Sequence, residues 1–265
     1  MVLYFTGTGN SLYVAKKLDN VRLSIPQQIH DDERIYEADR IGIVCPVYGH
    51  EMPELVKRFI NEATFRANYF YLVLTYGRMH GGAAELAEQY LSECGLKADY
   101  INTIKMVDNY LPTFDMNEQL ALDPEKKVVE HINLIKADID SYKHWKPMVT
   151  QADRDWHQRY LNMRKEEPID VKHGIFRVLD HCIGCGICMR VCPTGSIQVK
   201  NQHAQYADTS NCQMCLACVQ HCPENAIRLT IPEKNPNARY HNGNIRLSEI
   251  VEANNQWKYK SNETI

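Results

Sequence analysis

The 265-residue sequence predicts an α/β protein in two parts: a doubly wound parallel sheet, then a small cysteine-rich α+β domain. Apolar strands alternate with helical patterns over residues 1–146, the signature of a parallel sheet with crossover helices. A four-cysteine motif is written twice between Cys182 and Pro223. A charged helical stretch over 147–172 joins the two parts, the second domain fills 173–232, and a tail over 233–265 is expected to dock on the domain junction. An apolar content of 44% supports a full core, and length alone suggests about two domains. Net charge is −3 with both signs mixed, which leaves no footprint for nucleic acid or an anionic membrane.

The first strand, Val2 to Phe5, runs into Thr6-Gly7-Thr8-Gly9-Asn10-Ser11, and a helical pattern follows through Leu12, Val14, Ala15 and Leu18. Strand, Thr/Gly loop and helix form a phosphate-binding arrangement, with N–H groups and hydroxyls converging at the positive end of the helix. The loop lacks the Gly-Lys-Ser/Thr of a Walker A motif and is not G-x-G-x-x-G. A neutral loop of hydroxyls suits one phosphate monoester, as on FMN.

Two more apolar strands follow, Ile41 to Cys45 and Tyr69 to Thr75. Their loops read Pro46-Val47-Tyr48-Gly49-His50 and Tyr76-Gly77-Arg78-Met79-His80-Gly81-Gly82, and helical patterns follow at Pro53 to Ile60 and Ala83 to Cys94. In such sheets ligands sit beyond the carboxyl ends of the strands, where all three loops are expected. A further strand is expected over Ile101 to Val107. Asp123 as cap and Pro124 at the first helical position predict a long helix to about Trp145, its apolar face made by Val128, Val129, Ile132, Ile135 and Ile139. Trp156, Tyr160 and Leu161 then recur at helical spacing in the joining segment, which Pro168 ends.

The cysteine motif reads Cys182-x-x-Cys185-x-x-Cys188-x-x-x-Cys192-Pro193, then Cys212-x-x-Cys215-x-x-Cys218-x-x-x-Cys222-Pro223. Three thiols two residues apart can hold three irons of a cubane, and the fourth, followed by Pro, faces the other cluster. One [4Fe-4S] cluster therefore takes Cys182, Cys185, Cys188 and Cys222. The other takes Cys212, Cys215, Cys218 and Cys192. Zinc would leave one thiol of each block over, and a disulfide framework needs an oxidising compartment. Gly184 and Gly186 give the tight loop its freedom, and Ile183, Ile187, Val191, Leu216, Val219 and Ile227 are expected to keep the clusters dry. Ile175 to Val178 reads as the first strand of this domain, and Ser196 to Val199 with Gln205-Tyr206 as a hairpin between the blocks. Cys45 and Cys94 read as a buried strand thiol and a helix-end thiol.

The order of loops resembles flavodoxins, whose FMN phosphate loop Thr6 to Ser11 matches, with Ser11 in place of a final Thr. That resemblance implies a flavodoxin-like sheet, Tyr48 and Tyr76 flanking the flavin, and Gly49 and Gly77 letting backbone approach it. Across the whole chain, Phe5 to Ser11, the two cysteine blocks and the tail motif Arg239-Tyr240-His241 resemble the EFR-family ferredoxins, a flavodoxin-like domain fused to a bacterial-type 2[4Fe-4S] ferredoxin. The implied cofactors are FMN and two cubanes.

Electron transfer between FMN and the clusters, joining two-electron to one-electron partners, is the expected function. The alternative is a flavin-dependent reductase of a small molecule, with the clusters as electron supply. His50 and His80 lie in the right loops, yet no acid–base pair stands out, and the catalytic residues are unassigned. Redox proteins are the expected donor or acceptor. Met1 is followed at once by Val2-Leu3-Tyr4-Phe5, too short a run for a signal-peptide core, and no apolar run of 18 residues is present. The expected location is the cytoplasm, and oxygen-labile clusters suit an anaerobic cell.

Overall fold

The computed structural model describes residues 1–166 and 175–260. Its residues group into two compact units that interleave in sequence. The first contains Met1–Phe5, Asn10–Asp108 and the described chain from Leu122 onward to Glu166. The second contains Thr6–Gly9, Asn109–Ala121 and the described residues after the joining segment.

The first unit is a five-stranded parallel sheet of β1 (Val2–Tyr4), β2 (Arg22–Ser24), β3 (Arg40–Pro46), β4 (Tyr69–Tyr76) and β5 (Tyr100–Lys105). Spatial order is 2-1-3-4-5, so the direction of winding reverses between β1 and β3. Right-handed crossovers then put helices on both faces. Accordingly α1 (Asn10–Leu18) packs with α4 (Val128–Asp140). On the opposite side the Tyr90 hydroxyl of α3 (Ala83–Glu93) donates to Lys57 O of α2 (Glu54–Glu62) at 2.8 Å. Register lines up Leu23, Leu3, Ile43, Leu72 and Ile101 across the sheet. The last four are fully buried, each contributing about 1.5–3 kcal/mol of transfer free energy. Strands covered on both faces are continuously apolar, which is why β3 and β4 were legible as strands.

Three differences from the sequence reading have physical reasons. Strand β2 is three residues long with Arg22 exposed, too short and polar to carry a pattern. The pair Ile35–Glu37 and Thr64–Arg66 is parallel and equally short. The helix expected from Asp123 to Trp145 instead opens as a single 3-10 turn, Pro124–Lys126, and Lys127 at φ 49° breaks it before α4 starts at Val128. Ile132, Ile135 and Ile139 face the sheet, whereas Val129 is 54% exposed. The joining helix α5 runs Gln151–Glu166 with no fully buried residue; Pro168 lies outside the described residues.

The second unit holds two antiparallel pairs. β6 (Phe176–Val178) pairs with β9 (Ile227–Leu229), and β7 (Ile197–Lys200) with β8 (His203–Tyr206). Two one-turn helices, α6 (Ile187–Arg190) and α7 (Ala217–Gln220), pack on each other. The tail forms α8 (Leu247–Asn254) and a last helical turn, Trp257–Lys260. Fully buried Asn254 donates to Thr6 O at 2.9 Å and Val191 O at 3.3 Å, and Trp257 donates to Ile197 O at 3.0 Å. These bonds sew the tail and the Thr6–Gly9 segment into the cysteine-bearing unit. Among the described residues, no helix is long and apolar enough to cross a membrane.

Gly42 in β3 lies opposite Tyr71 of β4, and a Cβ there would run into the Tyr71 ring. Tyr71 is itself buried between strands and helices. Gly42→Ala is therefore expected to destabilise the protein by about 1–3 kcal/mol through overpacking, seen as a lower urea midpoint with an unchanged slope.

Candidate functional site

In the second unit the two blocks fold alike. Each ends in a one-turn helix entered through a left-handed residue, Gly186 at φ 74° and Leu216 at φ 56°. Gly184, at φ 65°, faces the Gln202 carbonyl, where a Cβ would stand 2.5 Å from the oxygen, so a side chain there would displace the first loop. Cys182, Cys185, Cys188 and Cys222 line one pocket, walled also by Val199, Ala204 and Ile227. The fourth thiol of the second block thus joins the first three of the first block. On the other side Cys192, Cys212 and Cys215 act electrostatically on Cys218.

Two thiols receive a backbone bond from four residues on, Ser196 N–H to Cys192 Sγ at 3.3 Å and Ala226 N–H to Cys222 Sγ at 3.2 Å. Hydroxyls add two more contacts: Thr194 Oγ1 lies 3.5 Å from Cys192 Sγ and Tyr206 Oη 3.3 Å from Cys218 Sγ. Burial pushes the Cys188 thiol up to about 12, opposed by a backbone bond from Met189 and aided by charge on Cys185, Cys222 and Cys182. Burial likewise raises Cys212 to about 11 and pushes Cys215 and Cys218 upward. A bound metal reverses this preference, because a coordinating thiol is deprotonated outright, so loading must release protons. Among the described residues no three His, Cys, Asp or Glu side chains converge on a point that could hold a single metal ion. A zinc tetrahedron would need its thiolates about 2.3 Å from one ion.

Val191, Leu216, Val219 and Ile227 are buried beside the cysteines. Ile187 is only half-buried, and Ile183, expected to shield a cluster, is 59% exposed. It nevertheless lines the same pocket as Cys182, Cys185, Cys188 and Cys222, at its solvent-facing rim. The tail motif packs within its own unit. Arg239 pairs with Glu233 at 2.8 Å, the Tyr240 N–H donates to Gln220 Oε1 at 2.7 Å, and His241 stacks on His221 at 5.8 Å.

The Thr/Gly loop is divided between the units. Thr6, Gly7, Thr8 and Gly9 belong to the second. There the Gly9 N–H donates to Thr6 Oγ1 at 3.1 Å and Asn109 Nδ2 donates to Thr8 Oγ1. Asn242 N–H donates to Thr8 O at 2.8 Å. Gly9 takes φ 101°, and a Cβ on it would meet Asn242 Cβ at 3.0 Å. Asn10 and Ser11 belong to the first unit, where Asn10 Nδ2 donates to Val107 O at 3.2 Å and Ser11 Oγ lies 2.8 Å from Thr75 Oγ1.

The other two loops also lie in the first unit. Val47 N–H, next to Pro46, donates to Thr75 O at 2.8 Å. Tyr48 exchanges backbone bonds with Glu51 and meets Phe5 edge-on at 6.3 Å. Tyr76 meets His80 edge-on at 5.1 Å, and Gly77 faces the Asp108 carboxylate, which accepts from Arg78 N–H at 2.7 Å. Gly81 is covered by the His50 ring, Gly82 enters α3 at φ 82°, and Gly49 at φ 58° faces the Tyr160 hydroxyl. His50 lies 3.4 Å from His157, Nδ1 to Nδ1, and against the Tyr160 ring at 4.9 Å. His157 and Tyr160 were outside the sequence-derived site; the helical spacing of Trp156, Tyr160 and Leu161 marked α5 and gave no sign of which loop it covers. Cys45 is buried, and Cys94 is half-buried near Asn61.

The second unit has known relatives. Residues 174–223 match the family model of the 4Fe-4S dicluster domain. An uncharacterized ferredoxin of Methanocaldococcus jannaschii is 40% identical over 55 residues, 20% of this chain and 71% of that protein. Pyruvate synthase subunit PorD of the same organism is 37% identical over 59 residues, 22% of this chain and 69% of that one. Polyferredoxin MvhB of Methanothermus fervidus is 44% identical over 52 residues, and this chain spans only 11% of its length. A solved structure, the Trp repressor binding protein from Bacillus subtilis, aligns with 49% of this chain and 95% of its own at 10% identity. Its TM-score of 0.32 is too low to carry an argument.

His50 supplies a pH dependence. Burial, reinforced by His157 and His80 and opposed by Glu51, lowers its pKa from 6.5 to about 4. Between those values the unfolded chain binds a proton that the folded chain refuses, so stability falls as pH drops through that window. Urea midpoints are expected to decline from pH 7 to 4, and His50→Gln should flatten the slope.

Proposed function

Since the chain belongs to the 4Fe-4S dicluster ferredoxins through residues 174–223, and such a domain transfers electrons, we propose that it passes electrons between a bound FMN and two [4Fe-4S] clusters. One cluster is held by Cys182, Cys185, Cys188 and Cys222, the other by Cys212, Cys215, Cys218 and Cys192. The observation that carries this reading is the single cavity lined by Cys182, Cys185, Cys188 and Cys222, the crossover that the doubled spacing requires. When bound, FMN exchanges electrons singly or in pairs and each cluster one at a time, which fits a protein joining two-electron to one-electron partners.

The chain's own residues orient and shield these groups. The Ser196 and Ala226 N–H bonds orient the Cys192 and Cys222 sulfurs. Val191, Val219 and Ile227 supply buried apolar packing beside the cysteine blocks.

FMN enters the proposal through the Thr6–Ser11 pattern. Thr6 and Thr8 hydroxyls each accept a bond, from Gly9 and Asn109. A hydroxyl that accepts still has its own proton to donate. A phosphate monoester that only accepts suits that pair. The further residues of the flavin site are Gly7, Gly9, Asn10 and Ser11, with Pro46, Val47, Tyr48, Gly49, Tyr76, Gly77, Gly81 and Gly82. Redox proteins are the proposed donor and acceptor.

Two substitutions separate the cofactors. Cys192→Ser should remove one cluster, taking iron per chain from about eight to about four, while flavin stays bound; an unchanged iron count would reject the crossover ligand set. Thr8→Ala should lower the affinity for added FMN about tenfold, the loss of one hydrogen bond to a charged group. Iron should be unaffected, and equal FMN affinity would reject the loop.

A further inference from the structure

The two halves of the cysteine unit carry matched aromatics that differ by one oxygen. Phe176 stands six positions before the first cysteine of its block (176 to 182) and Tyr206 six before its own (206 to 212). Each therefore also stands twelve before the third cysteine, Cys188 or Cys218. The rings lie face to face, 5.0 Å apart and 10° from parallel. Tyr206 Oη lies 3.3 Å from Cys218 Sγ. At the corresponding place the other half has Phe176, which has no hydroxyl.

We propose that the Tyr206 hydroxyl is a tuning group that raises the reduction potential of the cluster held by Cys212, Cys215, Cys218 and Cys192, and that the Tyr206/Phe176 difference separates the potentials of the two clusters. A ligating thiolate can only accept, so Oη must be the donor. Reduction adds one negative charge to the cluster and its sulfurs. A donor on a ligand sulfur therefore stabilises the reduced form more than the oxidised one, and hydrogen bonds to the sulfurs are among the terms that set such potentials. Tyr206 acts through Cys218, as a positioning residue. Its ring remains anchored on Phe176 when the hydroxyl is removed, so Tyr206→Phe isolates the bond from the packing.

This inference rests on the proposed ligand sets, and the experiment separates the two. The full chain, reconstituted anaerobically with iron and sulfide, is titrated with EPR detection as wild type, Tyr206→Phe, Phe176→Tyr and Cys218→Ser. Cys218→Ser identifies which signal belongs to the second cluster; two unperturbed clusters in that variant would overturn the ligand set itself. With the signal assigned, Tyr206→Phe is expected to make that cluster about tenfold harder to reduce, 59 mV for one electron, with iron content and the other potential unchanged. Phe176→Tyr is expected to shift the other cluster upward. Full iron loading with neither potential moved would overturn the tuning role. If Tyr206→Phe fails to load, Phe176→Tyr decides: a rise in the first cluster's potential supports the proposal, and no rise overturns it.

Discussion

Four thiols drawn from two separated blocks must meet at one place, and much of the second unit follows from that requirement. Cys222 can line a cavity with Cys182, Cys185 and Cys188 only if the second block folds back against the first. The hairpin of β7 and β8 supplies the return, and the pairing of β6 with β9 closes the start of the unit on its end. Val191 and Val219 within the blocks and Ile197 between them are fully buried. Burial pushes the pKa of the Cys188 and Cys218 thiols upward. Because a coordinating thiol is deprotonated, loading is a proton-releasing step.

The first unit depends on a different constraint, the burial of a parallel sheet on both faces. Its five strands bring Pro46–His50 and Tyr76–Gly82 out at the same edge, and glycines there let His50, Tyr160 and Asp108 close over the backbone. His50 is held neutral by that closure. A joining helix with no fully buried residue still fixes two of its side chains, His157 and Tyr160, against one loop.

What was legible in the sequence follows from where the signal is strong. Long apolar strands such as β3 and β4 were plain, because burial on both faces forces an unbroken apolar run. The cysteine blocks were plainer still, since ligand spacing is set by bond lengths and tolerates no drift. Short elements such as β2 carry too few residues for a period. The start at Asp123 and Pro124 was a sound local signal overridden one turn later by left-handed Lys127. Side chains that arrive from afar, such as His157 on His50 or Asn254 on Thr6, leave no local trace, because their partners lie about a hundred or more residues away. Tyr206 is an intermediate case. Its position within the repeat was readable, whereas its bond to Cys218 needed the fold.

Iron and acid-labile sulfide per chain, measured on the anaerobically reconstituted protein with Mössbauer spectroscopy, test the central claim most directly. Two crossover-ligated cubanes predict about eight of each and one cubane spectrum type. About four of each, or one tightly bound zinc in place of iron, would contradict the account.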